Sequence, residues 1–140
     1  MVEVIVIRHN ISSAEPGIGS GERKRIEPGT KPGAAGISGN GFIYRLTVQG
    51  HAGYATHGED IVCAAASAII YTAAGALEEL CGASADCITE RDGYFEINVP
   101  VFKDAAAAHN ADIIMETAYI GFKQIEASYP DNLSVSGDAQ

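Results

Sequence analysis

Residues 86–99 read DCITERDGYFEINV. Asp86–Glu90 and Tyr94–Val99 flank the dipeptide Asp92-Gly93. Asp-Gly between two such runs is a strong signal for a tight hairpin, because both central residues of the favoured turn need positive φ. A hairpin pairs its strands antiparallel, so this segment predicts an antiparallel sheet.

Working outward, Val2–Ile7 alternates branched residues and reads as a strand. Gly41–Val48 reads as another, with Phe42, Tyr44, Leu46 and Val48 expected on one side. Asp60–Leu80 is predicted to be a helix ending at a left-handed Gly82. A second helix is expected from a cap at Asp104 to about Ser128, stopped by Pro130, with Ile114, Ala118, Gly121 and Ile125 as its apolar stripe. A short last strand is expected near Leu133–Val135. The order is ββαββα. Two helices must cover one face of the antiparallel sheet, which predicts a two-layer α+β domain spanning residues 1–140.

Between the first two strands, Ser12–Asn40 holds 7 of the 16 glycines, 3 of the 5 prolines and 4 of the 9 Lys and Arg residues. It shows no apolar period and reads as a flexible insertion. Outside it the chain carries 5 basic and 15 acidic residues, so the compact body is more acidic than the whole chain at −9. Such a surface repels nucleic acid and anionic membranes and suits a basic peptide or protein partner.

Residues 61–77 contain no charge. Seventeen residues is the short limit for a membrane span, and the run is rich in Ala, Ser, Thr and Gly, so a buried helix is the better reading. MVEVIVIRHN at the N-terminus is not a signal peptide, and three cysteines without disulfide-style spacing point to free thiols in a reducing cytoplasm.

The chemistry concentrates in GHAGYATHGEDIVCAAASA, residues 50–68. Asp60 is the expected N-cap of the first helix, which would place Cys63 in its first turn. There the helix dipole and unpaired amides favour thiolate over thiol. His51 sits in a glycine turn from which it can fold back over the helix start. Cys and His within reach are the minimum for thiol nucleophilic catalysis, and amides around Cys63 are candidate oxyanion donors. The bland reading is a small core thiol beside a solvated histidine, and spacing alone leaves both open. His57 is read as a solvated loop residue. Cys63 and Cys81 lie about 27 Å apart if both sit on one helix, too far to share a metal ion. No structural metal and no cofactor are expected. Gly17, Gly19 and Gly21 neither follow a strand directly nor open a helix, so a phosphate loop is rejected.

Across Gly50-His51-Ala52-Gly53-Tyr54-Ala55, Gly58, Asp60-Ile61-Val62-Cys63-Ala64-Ala65 and Ser67-Ala68 the chain resembles the ribosomal-processing cysteine protease family. The resemblance implies a small α+β homodimer and a cysteine endopeptidase. Its substrate would be the precursor of large-subunit ribosomal protein twenty-seven, whose N-terminal extension is cut off after a Phe pair. It implies Cys63 as nucleophile, His51 as general base and Asp60 as a supporting acid. Gly53, Tyr54, Gly58 and Ala64 fall in the expected oxyanion or substrate region. The long Ser12–Asn40 insertion departs from the family pattern. A non-catalytic dimeric module that binds a basic or ribosomal protein is the alternative.

Overall fold

The computed structural model describes residues 1–9, 41–50 and 57–139, the side chains at 57–60, 138 and 139 excepted. The predicted insertion at 12–40 lies outside the described residues.

Five strands form one sheet and two helices cover one of its faces. The elements are β1 (Val2–His9), β2 (Phe42–Gln49), α1 (His57–Cys81), β3 (Ile88–Arg91), β4 (Tyr94–Asn98), α2 (Ala105–Ser128) and β5 (Leu133–Ala139). A single 3-10 turn, Ala85–Cys87, leads into β3. The α+β, two-layer expectation holds, and the strand order is β3-β4-β2-β1-β5.

The β3–β4 hairpin forms, but with a different turn from the one expected, since of its two central residues only Gly93 has positive φ. Arg91 pairs with Tyr94 and Gly93 adopts φ +72°, a conformation that favours glycine. β2 pairs antiparallel with both β1 and β4. The sheet is nevertheless mixed, because β5 runs parallel to β1, Val2 opposite Leu133 through Arg8 opposite Ala139. The cause is the helix. A strand that follows a helix packed across the sheet re-enters in the direction of the strand before it, and β4 and β1 already share a direction.

β2 departs from simple alternation. Ile7 pairs with Arg45, but Arg8 pairs with Ile43, so Tyr44 is the extra residue of a bulge. The bulge resets which side chains face the helices. Ile43 and Leu46, not Phe42 and Tyr44, are buried in the core. Val2, Val4 and Val6 of β1 and Phe95 and Ile97 of β4 join them.

α1 begins at His57, three residues before the expected cap. Asp60 is therefore a helical residue and not the N-cap, and His57 belongs to the helix and not to a loop. α1 ends as predicted: Gly82 has φ +72° and the Ala83 amide returns to the Leu77 carbonyl at 3.0 Å. The run Ile61–Cys81 is long and apolar enough to cross a membrane by length and composition. Here one face of it, with Val62, Ala66, Ile70, Ala73 and Leu77, is packed in the core. The opposite face, with Ile61, Ala64, Ala68, Thr72 and Gly75, is open, so the helix is half-buried rather than buried.

Asp104 caps α2, its carboxylate accepting from the amides of Ala106 and Ala107 at 3.4 and 3.3 Å. The deepest stripe is Ala111, Met115, Ala118 and Phe122. Of the expected stripe, Ala118 is buried, while Ile114 and Ile125 are half-buried at the edge of the core. Gly121 marks the crossing with α1, since a Cβ there would come within 3.0 Å of Ile69 Cδ1.

Candidate active site

Cys63 is half-buried and packs against the edge of the core. It lines a cleft of about 440 Å³ between the first half of α1 and one end of the sheet. Ser67 and Tyr71 continue the helical wall from Cys63, at spacings of four and eight residues that keep them on one side. The opposite wall is the β3–β4 hairpin: Glu90, Arg91, Asp92, Gly93, Tyr94 and Phe95. The ring of Tyr71 meets Phe95 edge-on at 5.0 Å, and Arg91 lies over Tyr94 at 4.1 Å. The cleft thus has an aromatic floor and charged groups at its hairpin side.

Gly50 closes the end of β2 and also lines the cleft. Its φ is +114°, and a Cβ there would sit 2.3 Å from the Met1 carbonyl oxygen. Only glycine fits. Its amide donates to the Gly93 carbonyl at 3.2 Å, which ties the exit of β2 to the hairpin turn. His51 follows Gly50 in the chain; His51, Gly53 and Tyr54 lie outside the described residues. Gly58 and Asp60 belong to the first turn of α1, and the Asp60 side chain is likewise outside. Ala64 is exposed beside Cys63.

The earlier start of α1 changes the chemistry expected of this site. Cys63 is the seventh residue of the helix, so its amide and that of Ala64 belong to the internal ladder. Unpaired amides are confined to the first four positions, His57–Asp60, and any oxyanion donors from this helix come from there. A helical Cα–Cβ bond tilts toward the N-terminus, so the Cys63 side chain leans back toward that first turn.

The other thiols differ. Cys81 and Cys87 are buried, and desolvation pushes both thiols up from their ordinary value. The carboxylates of Glu78 and Asp86 raise Cys87 further. Cys63 and Cys81 do sit at opposite ends of α1, as the spacing required.

Sequence reasoning did not single out the hairpin wall or Tyr71, and it gave Ser67 no role at the site. The signal available for Ser67 and Tyr71 was the helical spacing from Cys63. Nothing local to Glu90–Phe95 says that this turn folds over α1.

Residues 35–134 match the family model described as Cysteine protease Prp. The ribosomal processing cysteine protease Prp of Bacillus subtilis is 35% identical over 95 residues, covering 67% of this chain and 85% of the relative. That of Staphylococcus aureus is 28% identical over 102 residues, covering 71% and 92%. Among solved structures, the S. aureus essential ribosomal processing protease Prp with a substrate peptide superposes with a TM-score of 0.67 at 21% identity, covering 99% of this chain and 100% of that one. The same protein with a covalently linked product peptide gives 0.60 at 22% identity, covering 99% and 100%. The family match over residues 35–134 and the 35% identity to the Bacillus subtilis protein show that the chain belongs to the Prp family of cysteine proteases.

Proposed function

We propose that the protein is an endopeptidase that trims the N-terminal extension from the precursor of large-subunit ribosomal protein twenty-seven, cutting after Phe. The observation that carries this reading is the placement of Cys63: half-buried in an open cleft with an aromatic floor, while both other thiols are buried. His51 takes the proton of Cys63 Sγ, and the thiolate attacks the scissile carbonyl. Amides of the first turn of α1 hold the oxyanion. His51 then protonates the leaving amine, and water hydrolyses the thioester, restoring the thiol. Asp60 supports the pair, and Gly53, Tyr54, Gly58 and Ala64 border the substrate. The reading includes a cytoplasmic homodimer. The uncharged open face of α1 supports the dimer, and the acidic body supports a basic substrate.

The test is incubation with a precursor peptide carrying a Phe-Phe site. Wild type is expected to cleave after Phe, with Cys63→Ala and His51→Ala reduced by roughly 10⁴-fold or more. Stable binding of the precursor without cleavage by wild type would favour the non-catalytic module.

A further inference from the structure

β3 is four residues long, and its pleat sends Ile88 and Glu90 to one face of the sheet and Thr89 and Arg91 to the other. The pairing register fixes which face is which. Glu90 lies opposite Phe95, a core residue, and Ile88 packs against the same core, so Glu90 points to the helix side. Arg91 lies opposite Tyr94, and its guanidinium sits over that ring at 4.1 Å. The strand therefore turns the Glu90 carboxylate toward α1 and the Arg91 cation away from it.

Across the cleft Glu90 meets the Tyr71 hydroxyl, which donates to Glu90 Oε1. The Tyr71 ring is braced in turn by its edge-on contact with Phe95 at 5.0 Å. A carboxylate offers about four acceptor sites, and a phenol is a neutral donor that fills one of them. The phenol brings no positive charge, and Glu90 has acceptor sites left for a second donor. Glu90 is also exposed, so a ligand entering the cleft reaches it.

The helix sets how far this group stands from the thiol. Tyr71 follows Cys63 by eight residues on α1, about 12 Å at 1.5 Å per residue. An extended peptide advances about 3.4 Å per residue. A chain lying along the α1 wall with its scissile carbonyl at Cys63 therefore brings its third or fourth residue from the cut to Tyr71 and Glu90.

We propose that Glu90 is a specificity-determining residue: it pairs with a Lys or Arg of the substrate at the third or fourth position from the cut bond, and Tyr71 holds the carboxylate in place. The net charge of −9 favours a cationic occupant. The charged head donates to Glu90 while its apolar stem lies against the Tyr71 and Phe95 rings. The inference rests on the proposed proteolysis at Cys63 and deepens it, by naming a charge that the substrate carries at a set distance from the cut.

The experiment uses the full chain and a set of peptides with Phe-Phe before the cut, Ser and Gly elsewhere, and one Lys moved through the remaining positions within four residues of the cut. Each peptide is matched by one with norleucine in place of lysine. In wild type the kcat/KM ratio of Lys over norleucine is expected to reach about fivefold at the third or fourth position on one side of the cut, through KM, and to stay near one at the first residue after it. Glu90→Lys should invert the preference, so that a peptide with Glu at that position is cut faster than one with Lys. Each ratio is taken within one protein, so a lower stability or overall rate of the variant does not alter it. A flat ratio at every position in wild type, a peak next to the cut, or a Glu90→Lys protein that still prefers Lys would each overturn the proposal. If wild type cleaves none of the peptides, the proteolytic reading fails, and Kd values for the same peptides on Cys63→Ala decide the role of Glu90 separately. The same preference for Lys keeps it, and equal affinity for Lys and norleucine overturns it.

Discussion

The Tyr71 hydroxyl donates a hydrogen bond to the Glu90 carboxylate, which joins α1 to the end of β3 across the cleft that Cys63 lines. That bond is the first cause of a raised Tyr71 pKa, with desolvation and the negative charge of Glu90 adding to it. The sign follows. A group whose pKa is raised on folding contributes stability below its unfolded pKa and loses it as pH rises through the folded value. Tyr71→Phe should therefore remove a tyrosine that ionises above the ordinary range in ultraviolet titration of the folded protein. Tyr71 is half exposed, so the loss of stability should stay within about 1 kcal/mol. The larger effect is expected on the cleft, as a several-fold change in KM for peptide cleavage. An unchanged titration curve would show that the bond does not persist in solution.

Gly50 and Gly75 make opposite predictions. Gly50→Ala places a methyl group 2.3 Å from the Met1 carbonyl oxygen at φ +114°. It should cost about 2–4 kcal/mol in urea unfolding and lower activity as well, since Gly50 lines the cleft and leads into His51. Gly75→Ala meets no atom within 4 Å on the open face of α1 and should stabilise by about 0.5–1 kcal/mol.

The Arg8–Glu116 pair lies at 13% and 9% side-chain exposure. Arg8→Met leaves the Glu116 carboxylate buried without that guanidinium and should cost about 3–5 kcal/mol. Replacing both, Arg8→Met with Glu116→Leu, should recover much of the loss, because the desolvated charges then disappear together. Chemical denaturation of Arg8→Met, Glu116→Leu and the double variant gives the coupling directly; additive losses would show that the pair is not a unit.

Thiol reactivity separates the cysteines. Burial pushes Cys81 and Cys87 up and hides them, whereas Cys63 lines an open cleft. Alkylation by iodoacetamide at neutral pH, read by peptide mass spectrometry, should modify Cys63 more than about tenfold faster than either. Equal rates would count against an activated Cys63.

Where local chemistry dictates backbone shape, the sequence was readable. Asp92-Gly93 makes its hairpin, Asp104 caps α2, and Gly82 ends α1. What escaped depends on partners distant in the chain. The bulge at Tyr44 exists only against Ile7 and Arg8, and it exchanges Tyr44 for Ile43 in the core. The parallel placement of β5 depends on where α2 returns the chain beside β1. Asp60 has the right chemistry for a cap, yet the helix extends three residues before it. Cys63 was legible as the cleft thiol from its place at the start of the apolar run, while His51 lies outside the described residues. The far wall of the cleft was not legible, because the hairpin meets α1 only in the folded sheet.

The most direct test of Cys63 as nucleophile is to trap the acyl-enzyme. The protein is reacted with an activated peptide ester ending in Phe-Phe, quenched in acid and mapped by mass spectrometry. The account predicts one acyl group, carried on Cys63 and absent from Cys63→Ala. An acyl group on Cys81 or Cys87, or cleavage by Cys63→Ala at the wild-type rate, would contradict it.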